Sequence, residues 1–279
     1  MILSRPYSRR LTWSRLAVYS ILTLVTFLIF VPLVVIASSS FKNEMEIFTY
    51  PMTIIPEQPT IDNFVKLLSG FPLYIFNSLK LTTIIVLVQL FTATTGGYAF
   101  AKLRWKGKES LFLLYISSIM VPIQTYIIPQ FTVIRTLMLY NTHLSLIMIA
   151  SFSAFGIFLM RQFFLTIPET LLDAARIDGA SEYFIFFRLM IPLSKAAIAT
   201  LIVFSFRWFW NDFFLPLIYL TSENLKTIPL GMADFTTEYF TYHGPQMAAS
   251  LISIIPVLIV FLLAQKYVME SVVTTGIKG

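Results

Sequence analysis

Between Thr166 and Pro192 an otherwise apolar chain turns polar, and its residues there are of types that bind another protein rather than break bonds. Glu169, Asp173, Arg176, Asp178 and Glu182 cluster in this stretch. Thr166 with Glu169 three residues on has the spacing of a capping box, in which hydroxyl and carboxylate each satisfy a free backbone N–H. Pro168 suits a first helical turn, where a missing donor costs little. A short helix is expected to about Ile177, ended by Gly179 in the left-handed position that favours glycine. Ser181 can cap a second helix, which Pro192 interrupts. The result is a compact charged knob between two apolar spans. Two readings fit it, a capped connector and a docking surface. The connector reading is strained by length, since roughly 35 residues exceed what two adjacent spans need. Asp173 also has a local partner, because Arg176 lies three residues away.

Bond-breaking chemistry has no visible home in this sequence. There is no Gly-x-x-x-x-Gly-Lys-Ser/Thr phosphate loop. Cysteine is absent, which excludes disulfides and thiolate metal sites. The two histidines, His143 and His243, lie far apart at the ends of apolar runs, where capping or solvated roles outweigh metal ligation. No metal site is assigned.

The elements that must carry the knob are membrane spans. Hydrophobic residues make up 57% of the chain, charged residues 12%, and the mean hydropathy is +0.79. A soluble domain carries about a quarter charged residues. Six apolar stretches are long enough for a hydrocarbon core at roughly 20 residues each, near residues 16–37, 75–101, 111–133, 144–164, 196–220 and 247–265. Runs this long without alternation exclude a barrel. The expected fold is an all-α integral membrane protein, with residues 1–279 forming a single transmembrane domain and no evident linker or internal repeat. The first stretch imitates a signal peptide but is too long for one, and it is read as a retained helix.

Charge orients the spans. Arg5, Arg9, Arg10 and Arg15 precede the first; Lys102, Arg104, Lys106 and Lys108 follow the second; Arg161, Arg176, Arg188 and Lys195 follow the fourth; Lys266 and Lys278 come last. Acids dominate the alternate loops, among them Glu44, Glu46, Glu57, Asp62, Glu223, Asp234 and Glu238. By the positive-inside rule both termini are cytoplasmic. The net charge of +6 is therefore topological and not a nucleic-acid footprint. The outer segment 38–74 is broken by prolines, and Ile61, Phe64, Val65 and Leu68 form one face of a small amphipathic helix behind Thr60. Such a helix either lies on the membrane or spans, or docks a partner.

Polar residues inside spans are candidates for a translocation path. Arg207 lies about 16 Å into the fifth stretch at 1.5 Å per residue. A cation at that depth costs at least about 2.5 kcal/mol unless it faces protein or water. Asn211 and Asp212 follow it closely, and Trp210 precedes them. Arg207 is either a hydrogen-bonded lock between helices or a substrate contact. Gln89, Gln124 and Tyr126 could line a path; Asn77 and Lys80 can snorkel outward. Trp208 and Trp210 could stack on a ligand ring or simply face lipid and core.

The polar stretch resembles the "EAA" loop of the membrane subunits of binding-protein-dependent ABC importers. That pattern is Glu-Ala-Ala, three residues, Gly, nine residues, then Ile-x-Leu-Pro; here it reads Asp173-Ala174-Ala175, Gly179, then Leu189-Met190-Ile191-Pro192. The longer run Ala175-Arg176-Ile177-Asp178-Gly179-Ala180-Ser181-Glu182 is similar to the carbohydrate-uptake branch, the maltose-type second permease. Agreement continues in Gly97-Tyr98-Ala99-Phe100-Ala101-Lys102, Val121-Pro122-Ile123-Gln124, Trp210-Asn211-Asp212-Phe213 and Thr275-Gly276-Ile277-Lys278-Gly279. Asp173 departs from the usual glutamate, and Gly96-Gly97 stands where alanines are commoner, which lets another helix approach closely. The resemblance implies a type I ABC importer permease fold in a bacterial or archaeal cytoplasmic membrane. It implies half of the path for a sugar or oligosaccharide, surrounded by membrane lipid. A second homologous permease, two ATPase subunits and an external substrate-binding protein are its implied partners. ATP and magnesium would sit in the ATPases, with no cofactor on this chain. ATPase coupling would fall to Glu169, Asp173, Ala174, Ala175, Arg176, Asp178, Gly179, Ser181 and Glu182, and a C-terminal contact to Gly276, Lys278 and Gly279. An ion-coupled secondary carrier and a permease for a non-sugar solute are the alternatives.

Overall fold

The computed structural model describes residues 13–237 and 240–276, with side chains as far as Tyr267. Its elements are helical: α1 (Trp13–Ser40), α2 (Glu44–Ile47), α3 (Asp62–Leu67), α4 (Phe71–Ala101), α5 (Lys108–Ser117), α6 (Ile123–Thr136), α7 (His143–Ala150), α8 (Ala154–Thr166), α9 (Glu169–Ile177), α10 (Glu182–Leu193), α11 (Lys195–Trp210), α12 (Phe214–Tyr219), α13 (Ile228–Ala233) and α14 (His243–Gly276). Among the described residues α1, α4, the α7–α8 run and α14 are long and apolar enough to cross a membrane, and two bent pairs raise the number to six. The chain packs as two compact units.

In the first unit, of residues 13–67 and 240–252, α1 is apolar on all sides, as a lipid-facing helix must be. The carbonyls that its C-terminal end presents are met by Asn63, whose Nδ2 donates to Ser40 O at 3.0 Å and Lys42 O at 2.8 Å. This bond decides how α3 faces. Ile61, Val65 and Leu68 do share a side, but Asn63 and Leu67 turn inward while Ile61 and Leu68 stand 65% and 69% exposed. Satisfying carbonyls outweighs burying that apolar stripe. Glu44 takes the first amides of α14, His243 N at 2.7 Å and Gly244 N at 3.0 Å.

The second unit, of residues 68–237 and 253–276, is organised on α4. A Cβ built on Gly97 would lie 2.6 Å from Met160 Cβ and 2.9 Å from Arg161 N. One on Gly156 would lie 3.1 Å from Ala93 Cβ. Glycine thus brings α8 onto α4, the close approach expected of Gly96-Gly97. Polar locks hold the other neighbours. Gln89 donates to Ala150 O at 2.7 Å and accepts from Ser205 at 2.9 Å, tying α4 to α7 and α11. Asn77 donates to the carbonyls of Asn224 and Lys226 at 2.9 and 3.0 Å. Gln89 and Asn77 are buried and spoken for, so neither lines a path nor snorkels.

Three expected spans are not straight. Residues 111–133 divide into α5 and α6, which meet at 102° across Pro122. Residues 144–164 pause between α7 and α8, where Ser153 Oγ accepts from Gly156 N. Residues 196–220 end as α11 at Trp210 and restart as α12, capped by Asp212 Oδ1 on Leu215 N at 3.3 Å. Hydropathy counts apolar residues and does not register such corners, because the freed amides find side-chain and local partners. Gly97→Ala should lower the thermal stability of the purified protein in detergent by about 1–3 kcal/mol through overpacking. Leu87→Ala, on an exposed side of α4, should leave the melting curve in place.

Candidate coupling site

The charged knob is seated by one leucine. Leu172 on α9 is fully buried against a cluster that includes Phe164, Ile167, Ile185 and Met190. The knob's exit is a Schellman turn: Gly179 N donates to Arg176 O and Ala180 N to Ala175 O at 2.9 Å, with Gly179 at φ 85°. Ser181 then caps α10 through Phe184 N. Inside α10, residues Ile185–Met190 wind as a π-helix, and the chain bends 75° into α11.

The start of α9 corrects the capping box. Thr166 belongs to α8 and its hydroxyl donates to Phe163 O, while Pro168 occupies the cap without a side-chain bond. Glu169 is taken by cations instead. Lys102 Nζ donates to Ile167 O at 2.7 Å and lies 3.3 Å from Glu169 Oε2; Arg176 Nη1 is 3.2 Å from Glu169 Oε1. Two cations give the carboxylate ion pairing as well as hydrogen bonds, which a single backbone amide does not.

Arg176 is the hub. It bonds Glu169, Asp173 Oδ1 at 2.9 Å and Glu182 Oε1 at 2.9 Å. Glu182 also accepts from the Tyr98 hydroxyl on α4, and the Tyr98 ring packs on Phe164 and Phe186. Lys102 and Tyr98, both buried near the end of α4, therefore rivet the knob to that helix. Burial alone would raise the Glu169 carboxyl, but hydrogen bonds from Arg176 and Lys102 hold it below the usual carboxylate range. The Glu182 hydrogen bond, with those of Glu169 and Asp173, holds the Arg176 guanidinium above its ordinary value despite partial burial. Three carboxylates on two cations leave the cluster net negative, and Asp173 is its outermost acid. A cleft of about 380 Å³ opens beside it, lined by Lys102, Leu103, Arg104, Asp173, Arg176 and Glu182.

The remaining candidates are placed as follows. Ala175 packs on the core, whereas Ala174, Ile177 and Asp178 are exposed, so α9 offers an outer strip flanked by acids. Leu171, at 42% exposure, extends that strip. Gly276 ends α14; Lys278 and Gly279 lie outside the described residues. Trp210 is 1% exposed and donates its indole N–H to Ser253 O at 2.9 Å, so it is a core residue and not a path lining. Asn211 bonds back to Arg207 O, and Asp212 caps α12. Gln124 and Tyr126 are exposed on α6 and share no bond with Arg207 among the described residues. The Arg207 side chain is exposed and forms no lock among the described residues. Lys102 and Tyr98 were missed as site residues because charge counting treats Lys102 as a topology marker; its place at the very end of a span was the available signal.

Comparison with known proteins matches residues 2–272 to the family described as "binding-protein-dependent transport system inner membrane component". The chain is 33% identical to the arabinooligosaccharides transport system permease protein of Halalkalibacterium halodurans, over 91% of this chain and 93% of that one. It is 32% identical to the multiple sugar-binding transport system permease protein of Streptococcus mutans, over 93% and 96%. In fold it matches a solved bacterial ABC transporter involved in importing the acidic polysaccharide alginate, with a TM-score of 0.81 and 24% identity over 95% of this chain and 99% of that chain.

Hydrogen exchange across residues 169–177 reads the rivet directly. Lys102→Met should speed exchange there about tenfold by removing a charge-assisted bond. Because Glu169 is depressed in the folded state, its contribution is full above the unfolded carboxylate value of about 4.3 and is lost as pH falls through the folded one. Protection of α9 should therefore fall on acidification below about pH 4.3, and Glu169→Gln should reduce that pH dependence to the share carried by Glu182, whose carboxyl is also held low by Tyr98 and Arg176.

Proposed function

This chain belongs to the family of binding-protein-dependent transport system inner membrane components, and on that premise we propose that it forms half of the translocation pathway for a sugar or oligosaccharide. It is a multi-pass membrane permease of an ATP-driven importer and not an enzyme, which sets the ion-coupled carrier aside. The carbohydrate reading is supported by the relatives' names, arabinooligosaccharides and multiple sugars. In the proposed assembly the other half of the pathway is a homologous permease, and two ATPase subunits hold the ATP and magnesium. An external binding protein docks on the outer segment 38–74 and on the loop 221–246. Both termini are cytoplasmic, as the basic loops require.

One observation carries the coupling role: α9 is a short helix with an exposed acidic and apolar strip, fixed to α4 by Lys102 and Tyr98. A knob that moved freely on its loop would absorb a push from an ATPase. A knob riveted to a spanning helix passes the push on. ATP-driven closure of the ATPases moves α9 with α4, and glycine-tight packing carries α8 along, turning the cavity outward. Asp173 keeps an exposed carboxylate toward a basic residue of the ATPase.

Asp173→Ala and Gly179→Leu should both insert in the membrane and assemble with the second permease. Each should lower binding-protein-stimulated ATPase activity, Asp173→Ala by about tenfold or more from an interface cation left unpaired. Gly179→Leu should act by straining the left-handed turn and misaiming the knob. Cysteine at Asp178 should label only after permeabilisation and cysteine at Glu57 in intact cells; labelling of Asp178 in intact cells contradicts the orientation.

A further inference from the structure

One side of α11 does not fit lipid. Phe204, Arg207, Trp208 and Asn211 follow at helical spacing and are all exposed, while Phe206 and Trp210 fill the opposite, buried side. Trp208 is 70% and Phe204 53% exposed, and the Phe155 ring stands 6.0 Å from that of Phe204. The guanidinium of Arg207 has no hydrogen bond, ion pair or ring partner among the described residues. It lies about 18 Å along the axis from Lys195, one turn before α11 ends at Trp210, where a cation turned to lipid is costly.

We propose that this face of α11 is a subsite for an acidic sugar, so that the transported saccharide carries a carboxylate. The inference rests on the transport role proposed above and narrows its substrate class. A guanidinium fork matches a planar carboxylate with two parallel hydrogen bonds, which an ammonium does not. Trp208 supplies a flat apolar surface for a sugar ring, and Asn211, one turn on, offers an amide to its hydroxyls. One cation against one carboxylate leaves no surplus charge in the path.

The test is uptake by the assembled transporter in proteoliposomes with its own binding protein. The probes are di- and trisaccharides of galacturonate, glucuronate and mannuronate, with neutral malto- and arabino-oligosaccharides of the same lengths. Wild type should accumulate at least one uronide on ATP. Arg207→Gln should cut that uptake at least about tenfold and any neutral uptake by much less, and Arg207→Lys should restore part of it. Trp208→Ala should weaken uptake of acidic and neutral sugars alike. Uptake of neutral sugars alone overturns the acidic subsite and leaves the transport role standing. Uronide uptake that is unchanged in Arg207→Gln also overturns it. So does loss of assembly in Arg207→Gln, which would assign the arginine to a carboxylate of the second permease. Accumulation of neither class removes the carbohydrate transport reading, and the subsite with it.

Discussion

A lysine ammonium withdrawn from water at the end of a membrane span is costly unless it is paired and hydrogen-bonded, and Lys102 meets both conditions through one short stretch of chain. The Ile167 carbonyl and the Glu169 carboxylate are its acceptors, so the entry to α9 is fixed at the price of no buried unpaired charge. Arg176 extends the network to Asp173 and Glu182, and Glu182 returns it to α4 through Tyr98. The charged loop is thereby joined to the membrane helix at two points, with Leu172 buried in the same cluster as Tyr98. A hydrophobic contact alone would hold the knob but leave it free to slide; directional charge-assisted bonds fix its bearing.

The same helix carries the tie into the membrane. Gly97 lies immediately before Tyr98, so the residue that allows α8 to touch α4 adjoins the residue that holds the knob. Further along, Gln89 and Asn77 fasten α4 to α7, α11 and the 224–226 segment with amide hydrogen bonds. Such bonds resist sliding better than apolar packing, because a misplaced amide in this setting is left without a partner. Motion imposed at α9 would therefore move a braced group of helices, as the proposed coupling role needs.

Much of this was readable from residues. Composition and run length announced helices in a membrane, and the Gly179 turn and the Ser181 cap followed from local rules that use only neighbours. What local rules could not supply was competition from afar. Thr166 and Glu169 have capping-box spacing, but the carboxylate went to Lys102, distant in sequence. Asn63 turned an apolar stripe outward because two carbonyls at the end of α1 needed its amide. Trp210, a candidate for sugar stacking by type, is a buried strut because Ser253 accepts its N–H. The corners at Pro122 and after Trp210 were hidden because hydropathy averages over them. For Glu169, Asn63 and Trp210 a partner remote in sequence settled the outcome.

The account stands on α9 being the surface that an ATPase grips. Ile177 is 86% exposed on the outer strip of α9, and Met138 is 89% exposed on the segment that follows α6. A single cysteine at each position, with a short bifunctional reagent on the assembled transporter, measures the contact directly. The account predicts that Ile177→Cys gives a one-to-one adduct between this chain and an ATPase subunit, with a yield that changes on adding ATP, and that Met138→Cys gives none. Absence of the Ile177→Cys adduct in a complex that still hydrolyses ATP in response to the binding protein would contradict it.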